Sequence, residues 1–223
     1  MNYRYERKFH TSVINKNQVF STIKSHPLLF NEIHHERKVN NIYFDTERFK
    51  NYYDNIDGNN KREKIRIRWY GKTFNTLNNA SLEIKSKNGN LGSKQRYQLQ
   101  PIILNESRNL DNLINFYNEN VPAELINKLF YYKPTLINSY NRIYFQDISR
   151  RFRITIDDKL FFYNVRTSRN PNSFLKKIDN NLIIEFKYKD IHDSDFSEMI
   201  QYFNFRLSKF SKYVTGLKKT INK

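Results

Sequence analysis

Along most of this chain apolar and polar residues alternate with period two, the pattern of half-buried strands. Runs rich in Ile, Tyr, Phe, Val and Thr at residues 3–9, 40–46, 61–70, 80–87, 94–100, 134–148, 151–158, 160–165 and 181–189 read as strands. Residues 15–26, 46–55, 107–119, 122–131 and 194–206 read as helices. Asp157-Asp158 and Asn88-Gly89-Asn90 have the composition of tight hairpin turns. Thr167 to Asn180 has no clear period and reads as a loop, and Leu217-Lys218-Lys219 reads as a frayed basic tail. Many strands with sparse helices favour an α+β architecture, an antiparallel barrel or curled sheet with helices packed outside. Five Gly, five Pro and no internal repeat leave no obvious linker, so residues 1–223 are expected to form a single domain.

The alternation also sorts the charges. In a strand, residues i and i+2 share a face. Lys64, Arg66 and Arg68 therefore oppose Ile65, Ile67 and Trp69, and Glu83, Lys85 and Lys87 oppose Leu82 and Ile84. Glu185, Lys187 and Lys189 oppose Ile184, Phe186 and Tyr188. Further stripes are Arg4, Glu6 and Lys8; Lys94 and Arg96; Arg151 and Arg153; Tyr140 and Arg142. One such stripe is the ordinary wet side of an antiparallel strand. Seven stripes of nearly one sign are different, because like charges facing each other across strands destabilise the pairing. If helices cover the apolar faces, the basic faces line a closed or nearly closed barrel. Such a cationic tunnel suits a phosphate chain, which Arg grips bidentately and Lys meets as a point charge.

Composition narrows the chemistry. The 39 Lys+Arg against 22 Asp+Glu give a formal charge of +17, which calls for a polyanionic partner. The absence of cysteine excludes disulfides, thiolate metal sites and Cys nucleophiles. No apolar run is long enough to span a bilayer, and the N-terminus opens without a signal-type apolar stretch, so a cytoplasmic protein is expected. His10, His26, His34, His35 and His192 lack ligand spacing, which leaves surface roles as their default. No Walker-type, G-x-G-x-x-G or G-x-S-x-G sequence is present. Glu6, Glu83 and Glu185 each stand among cations, either as salt-bridge partners or as ligands for Mg²⁺ or Mn²⁺, which one or two carboxylates plus phosphate oxygens commonly hold. Glu185 is the best placed for a metal, since lysines follow it on the same face.

Several segments resemble the catalytic domain of the vacuolar transporter chaperone (VTC) family, polyphosphate polymerases of the triphosphate tunnel metalloenzyme superfamily. They are Asn41-Ile42-Tyr43-Phe44-Asp45-Thr46, Tyr52-Tyr53, Lys64-Ile65-Arg66-Ile67-Arg68-Trp69-Tyr70-Gly71, Leu82-Glu83-Ile84-Lys85, Tyr140-Asn141-Arg142, Arg153-Ile154-Thr155-Ile156-Asp157, Ile184-Glu185-Phe186-Lys187 and Lys209-Phe210-Ser211-Lys212-Tyr213, in the family's order. The resemblance implies a tunnel of antiparallel strands that elongates polyphosphate from ATP. Carried over by position, Lys8, Arg66, Arg68, Lys85, Arg142 and Arg153 would hold the nucleotide triphosphate. Lys94, Tyr140, Lys187, Lys209, Ser211 and Lys212 would contact phosphate or the product chain, and Glu185 would bind Mn²⁺ or Mg²⁺. The partners implied are ATP and inorganic polyphosphate, with no nucleic acid; a membrane partner stays open.

Two departures matter. The SPX and transmembrane segments of eukaryotic members have no counterpart here, which implies a stand-alone, prokaryotic-type member. The related CYTH hydrolases open with E-x-E-x-K, whereas this chain reads Arg4, Glu6, Lys8, and a cation in the first acidic position argues against the hydrolytic branch. Two alternatives remain: a metal-dependent tunnel triphosphatase, acting on tripolyphosphate or RNA 5′-triphosphate ends, and a non-catalytic polyphosphate-binding module.

Overall fold

A computed structural model of the protein describes residues 4–11, 16–89, 91–104, 121–166 and 175–221. The chain divides into two compact units that share three long strands. The first comprises Met1–Arg37, Tyr140–Leu160 and Asp179–Phe210; the second comprises Lys38–Ser139, Phe161–Ile178 and Ser211–Lys223. The shared strands are β2 (Asn31–Thr46), β8 (Tyr132–Gln146) and β9 (Phe152–Asn164).

In the first unit β1 (Arg4–Thr11) pairs with β11 (Leu182–Lys189), and β11 with β9, all antiparallel. Phe9, Phe145, Ile154, Ile156, Ile184 and Phe186 fill the apolar face together with Val19 and Ile23 of α1 (Lys16–Lys24) and Phe196 and Met199 of α4 (Asp193–Met199). Each large side chain buried this way contributes about 1.5–3 kcal/mol. The apolar side holds the sheet together and leaves the charged side without a packing role.

The second unit repeats this logic. Its antiparallel ladder runs through β2, β3 (Lys61–Tyr70), β5 (Ser81–Asn88) and β6 (Leu91–Gln98). Ile42, Phe44, Ile65, Ile67, Trp69, Leu82 and Ile84 pack with Leu129 of α3 (Ala123–Leu129). A small ribbon of β4 (Asn75–Leu77) and β7 (Ile102–Leu104) adds Leu77, Ile102 and Leu104 to the same core. Helix α5 (Lys212–Ile221) buries Tyr213, Gly216, Leu217 and Thr220. A Cβ on Gly216 would come within 2.5 Å of Leu136 and Phe162, so only glycine lets this helix approach β8 and β9 so closely.

Several sequence expectations are corrected. Asp157-Asp158 is no turn: β9 runs through it, with Asp157 bonded to Arg142 and Asp158 to Lys16, so both carboxylates are neutralised inside the strand. β2 begins at Asn31, nine residues before the expected start of 40, because most of its leading residues are exposed and carry no apolar alternation. Residues 217–219 belong to α5, not to a frayed tail. The reading of Thr167 to Asn180 as a loop gives way at Leu175–Asp179, which form β10 beside β9. His26 is buried, not at the surface, ringed by Phe30, Tyr202 and Phe203. Its Nδ1 accepts from the Leu28 N–H, its Nε2 faces the Met199 carbonyl, and burial pushes its pKa down, all of which suit a neutral ring. The β5–β6 hairpin does turn at Gly89, whose φ of 58° suits glycine. The expected helix at 107–119 lies outside the described residues.

Candidate active site

Each unit gathers cations around a buried carboxylate on the polar face of its sheet. In the first unit the ladder sets Lys8 opposite Glu185 and Glu6 opposite Lys187 on one side of β11, with Thr155 and Arg153 on the other. Lys8 lies 2.8 Å from Glu6 and 3.9 Å from Glu185. Lys187 is 3.8 Å from Glu6 and also pairs with Glu185. The two carboxylates thus share the two lysines. Burial alone would raise the Glu185 pKa, but Lys187, Lys8 and Arg142 outweigh it and hold the group ionised. Arg142, 8% exposed, is bidentate to Asp157 at 2.5 and 2.7 Å, with its guanidinium over the buried Tyr140 ring.

In the second unit the centre is Glu83, 3% exposed. Arg66 donates to it at 2.9 and 2.6 Å, Lys94 at 2.7 Å, and Arg68 stands 3.7 Å away. Burial pushes the Glu83 carboxyl up, but the charges of Arg66 and Arg68 and the bonds from Lys94 and Arg66 drive it well below its usual range. Arg68 is steadied by Asn41, whose amide reaches Asn138 at 2.7 Å, and Arg66 also meets the Tyr43 hydroxyl at 3.5 Å. One rung along, Lys64, Lys85 and Lys94 face one another across β3, β5 and β6. A rung of three like charges is unfavourable by itself and suits a polyanion.

Of the residues expected to hold the nucleotide, Lys8 and Arg153 fall on the first cluster's face, with Arg142 acting electrostatically on its Glu185, and Arg66, Arg68 and Lys85 fall on the second's. Lys94 and Lys187 sit on buried carboxylates, and Tyr140 lies beneath Arg142. The last motif is held at two points. Beside β1, Ser208 donates its N–H to the Lys8 carbonyl and Phe210 stacks on His10, which fixes the backbone on both sides of exposed Lys209. At the start of α5, Lys64 donates to Ser211 Oγ at 3.1 Å, next to half-buried Lys212. Asp157, Asn41 and Tyr43 were missed as partners of the cations, and Asn138 as the partner of Asn41, because each pair is joined across strands and leaves no local mark in the sequence.

A divalent cation would meet Glu185 and Glu6 as its hard oxygen donors. Among the described residues no three carboxylate or imidazole groups cluster, so an ion here takes two protein carboxylates at most and the rest from substrate or water. That donor set fits Mg²⁺ and its like, which keep waters and phosphate oxygens in their shell. Glu83 differs, because three cations occupy it.

The depressed Glu83 pKa has a measurable consequence. A carboxylate whose folded pKa lies below its ordinary 4.5 contributes stability above that value and loses it as pH falls. We expect the melting temperature to drop as pH falls below about 4.5. Glu83→Gln should melt lower at neutral pH and show a shallower acid decline; an unaltered acid profile would mean the ion pairs at Glu83 do not stabilise the fold.

Solved structures with this fold span nearly the whole chain. A proposed adenylate cyclase from Bacillus halodurans superimposes with a TM-score of 0.57 at 14% identity, covering 94% of both chains. A proposed adenylyl cyclase from Hippeastrum, whose structure is described as revealing a dominant triphosphatase activity, gives 0.57 at 11% identity over 98% of this chain and 96% of its own. One from Vibrio parahaemolyticus gives 0.52 at 11% identity over 95% of each. The antiparallel α+β architecture is the triphosphate tunnel fold, as the family resemblance implied, and it has the antiparallel curled sheet that the alternation led us to expect. The VTC domain family model matches residues 3–221, and the chain belongs to that family. No curated protein matches it in sequence. No helix among the described residues is long and apolar enough to cross a membrane.

Proposed function

We propose that the protein transfers the γ-phosphoryl group of ATP to the end of a growing inorganic polyphosphate chain, with residues 1–223 acting as one catalytic domain in the cytoplasm. The observation that carries this reading is the K-F-S-K-Y segment. Its Ser211 is bonded to Lys64 on the basic face of β3, so the segment that resembles the family's terminal motif lies beside the cation rungs, which supports a role for it in gripping phosphate. Phosphoryl transfer asks the protein for alignment and charge neutralisation more than for covalent chemistry. Lys8, Arg142 and Arg153 in the first unit and Arg66, Arg68 and Lys85 in the second supply the cations for the triphosphate. Lys94, Tyr140, Lys187, Lys209, Ser211 and Lys212 serve phosphate or the product chain. Glu185, with Glu6, would hold Mn²⁺ or Mg²⁺, which when bound neutralises phosphate oxygens and helps align them.

A triphosphatase is the second reading, favoured by the activity described for the Hippeastrum relative. Purified protein given ATP with Mn²⁺ or Mg²⁺ decides between them. Long phosphate chains on a gel support the polymerase, whereas orthophosphate alone promotes the hydrolase. Within either reading, Glu185→Gln keeps the side-chain shape but loses the charge a hard cation needs. We expect it to abolish the response of activity to added Mn²⁺ while phosphate-chain binding persists; a wild-type Mn²⁺ titration curve would move the metal elsewhere.

A further inference from the structure

The basic face of the first unit continues past its carboxylates. Beyond Lys187 and Arg153, Lys189 ends β11 and Arg151 immediately precedes β9. With Arg150 and His192 these residues line a cavity of about 240 Å³. Lys189 lies four residues along β11 from Glu185, about 13 Å at the rise of an extended strand. A contact there therefore adds to contacts at Glu185 and does not duplicate them.

The charges of this cavity are poorly balanced. Arg151 meets Asp195 at 2.8 Å, and His192 leans on the same carboxylate at 3.4 Å. Lys187 is satisfied by Glu185 and Glu6. Arg150, Arg153 and Lys189 have no ion-pair partner among the described residues, and the buried Nε of Arg153 makes no hydrogen bond. A buried donor left unmade is costly unless something outside the chain accepts from it. Arg150 is held in the turn before β9 at a φ of 59°, a conformation that strains a non-glycine residue and often marks a functional position. The cavity falls below the roughly 300–1,000 Å³ of drug-sized ligand sites. It suits a few phosphates better than a whole nucleotide.

We propose that Arg150, Arg151 and Lys189 form a second anion site that takes the trailing phosphates of an inorganic polyphosphate chain, outside the Glu6–Lys8–Glu185 cluster. This assignment rests on the phosphate-chain reading given above and extends it to substrate discrimination. A long chain spans both places, whereas tripolyphosphate occupies only the cluster. The site therefore makes long chains bind more tightly than short ones.

The test is a pair of affinities, measured by calorimetry on the whole chain with long-chain polyphosphate and with tripolyphosphate. Arg150→Asn with Lys189→Gln removes two exposed charges, and asparagine tolerates the left-handed backbone at 150. We expect long-chain affinity to fall about tenfold, as for the loss of one or two charge-assisted contacts, with a shallower dependence on salt. Tripolyphosphate affinity should change less than about twofold, so the preference for long chains collapses. Equal loss for both ligands would merge these residues with the cluster, and no loss for either would remove the site; both outcomes overturn the proposal. The same loss of affinity for a single-stranded DNA of matching charge would make the surface a general polyanion patch, which also overturns it. If the long-chain loss appears but wild-type protein makes no polyphosphate from ATP, the second site stands and the polymerase reading fails.

Discussion

Arg66→Ala is expected to lower triphosphate turnover by about 10²–10³-fold, the scale for removing one preorganised donor from a developing charge. Arg66 stands on the polar face of β3, where its guanidinium can spread over phosphate oxygens in a way that lysine cannot. The structure adds a second effect. Arg66 makes two bonds to Glu83, itself 3% exposed, so its loss leaves a buried carboxylate short of its main partner. Breaking a buried pair costs roughly 3–5 kcal/mol, and the low end applies here because Lys94 and Arg68 remain. The variant should therefore be both inactive and less thermostable. Arg66→Ala combined with Glu83→Gln separates the two effects, since it removes the stranded charge. We expect the double variant to melt above Arg66→Ala, though below the unaltered protein, while turnover stays low. Turnover that returns together with stability would reduce Arg66 to a structural ion-pair partner.

The pairing of Arg66 with Glu83 shows what the sequence could and could not reveal. Alternation exposed the basic faces because side chains in a strand switch sides at every residue, and Ile65, Ile67 and Trp69 are indeed buried opposite Lys64, Arg66 and Arg68. The antiparallel α+β fold class followed from the same signal. What alternation cannot give is pairing between strands. Neither the bidentate bond from Arg142 to Asp157 nor the link from Arg68 through Asn41 to Asn138 has a local sequence mark, because each partner lies 15 or more residues away. Asp157 misled in addition, since adjacent aspartates resemble a turn until Arg142 and Lys16 are seen to neutralise them. The leading half of β2 was invisible for the opposite reason: a stretch exposed on both faces has no apolar period to read.

The sharpest separation of polymerase from hydrolase comes from the chain-end motif. Lys209→Ala with Lys212→Ala should depress chain elongation about 10²-fold while ATP binding changes little, the scale on which misplacing a reactant is felt. A polymerase must hold two phosphate species at once, so a grip on the acceptor turns a chance encounter into a positioned reaction. A hydrolase draws its acceptor from bulk water and gains nothing from such a grip. The surroundings of the motif allow the double change. Lys209 is exposed, and the Ser208 N–H and the stacking of Phe210 on His10 fix the backbone beside it without its side chain. Lys212 opens α5, but Tyr213 anchors that turn through its bond to buried Asp45. Asp45 also accepts from the backbone N–H groups of Thr46, Asn51 and Tyr52, so the anchor is held by several bonds besides the one from Tyr213. Single-turnover elongation of a labelled chain, set beside ATP binding by calorimetry, reads the two effects separately. Parallel loss of both would reassign the motif to the triphosphate, and intact elongation would place the acceptor on other residues.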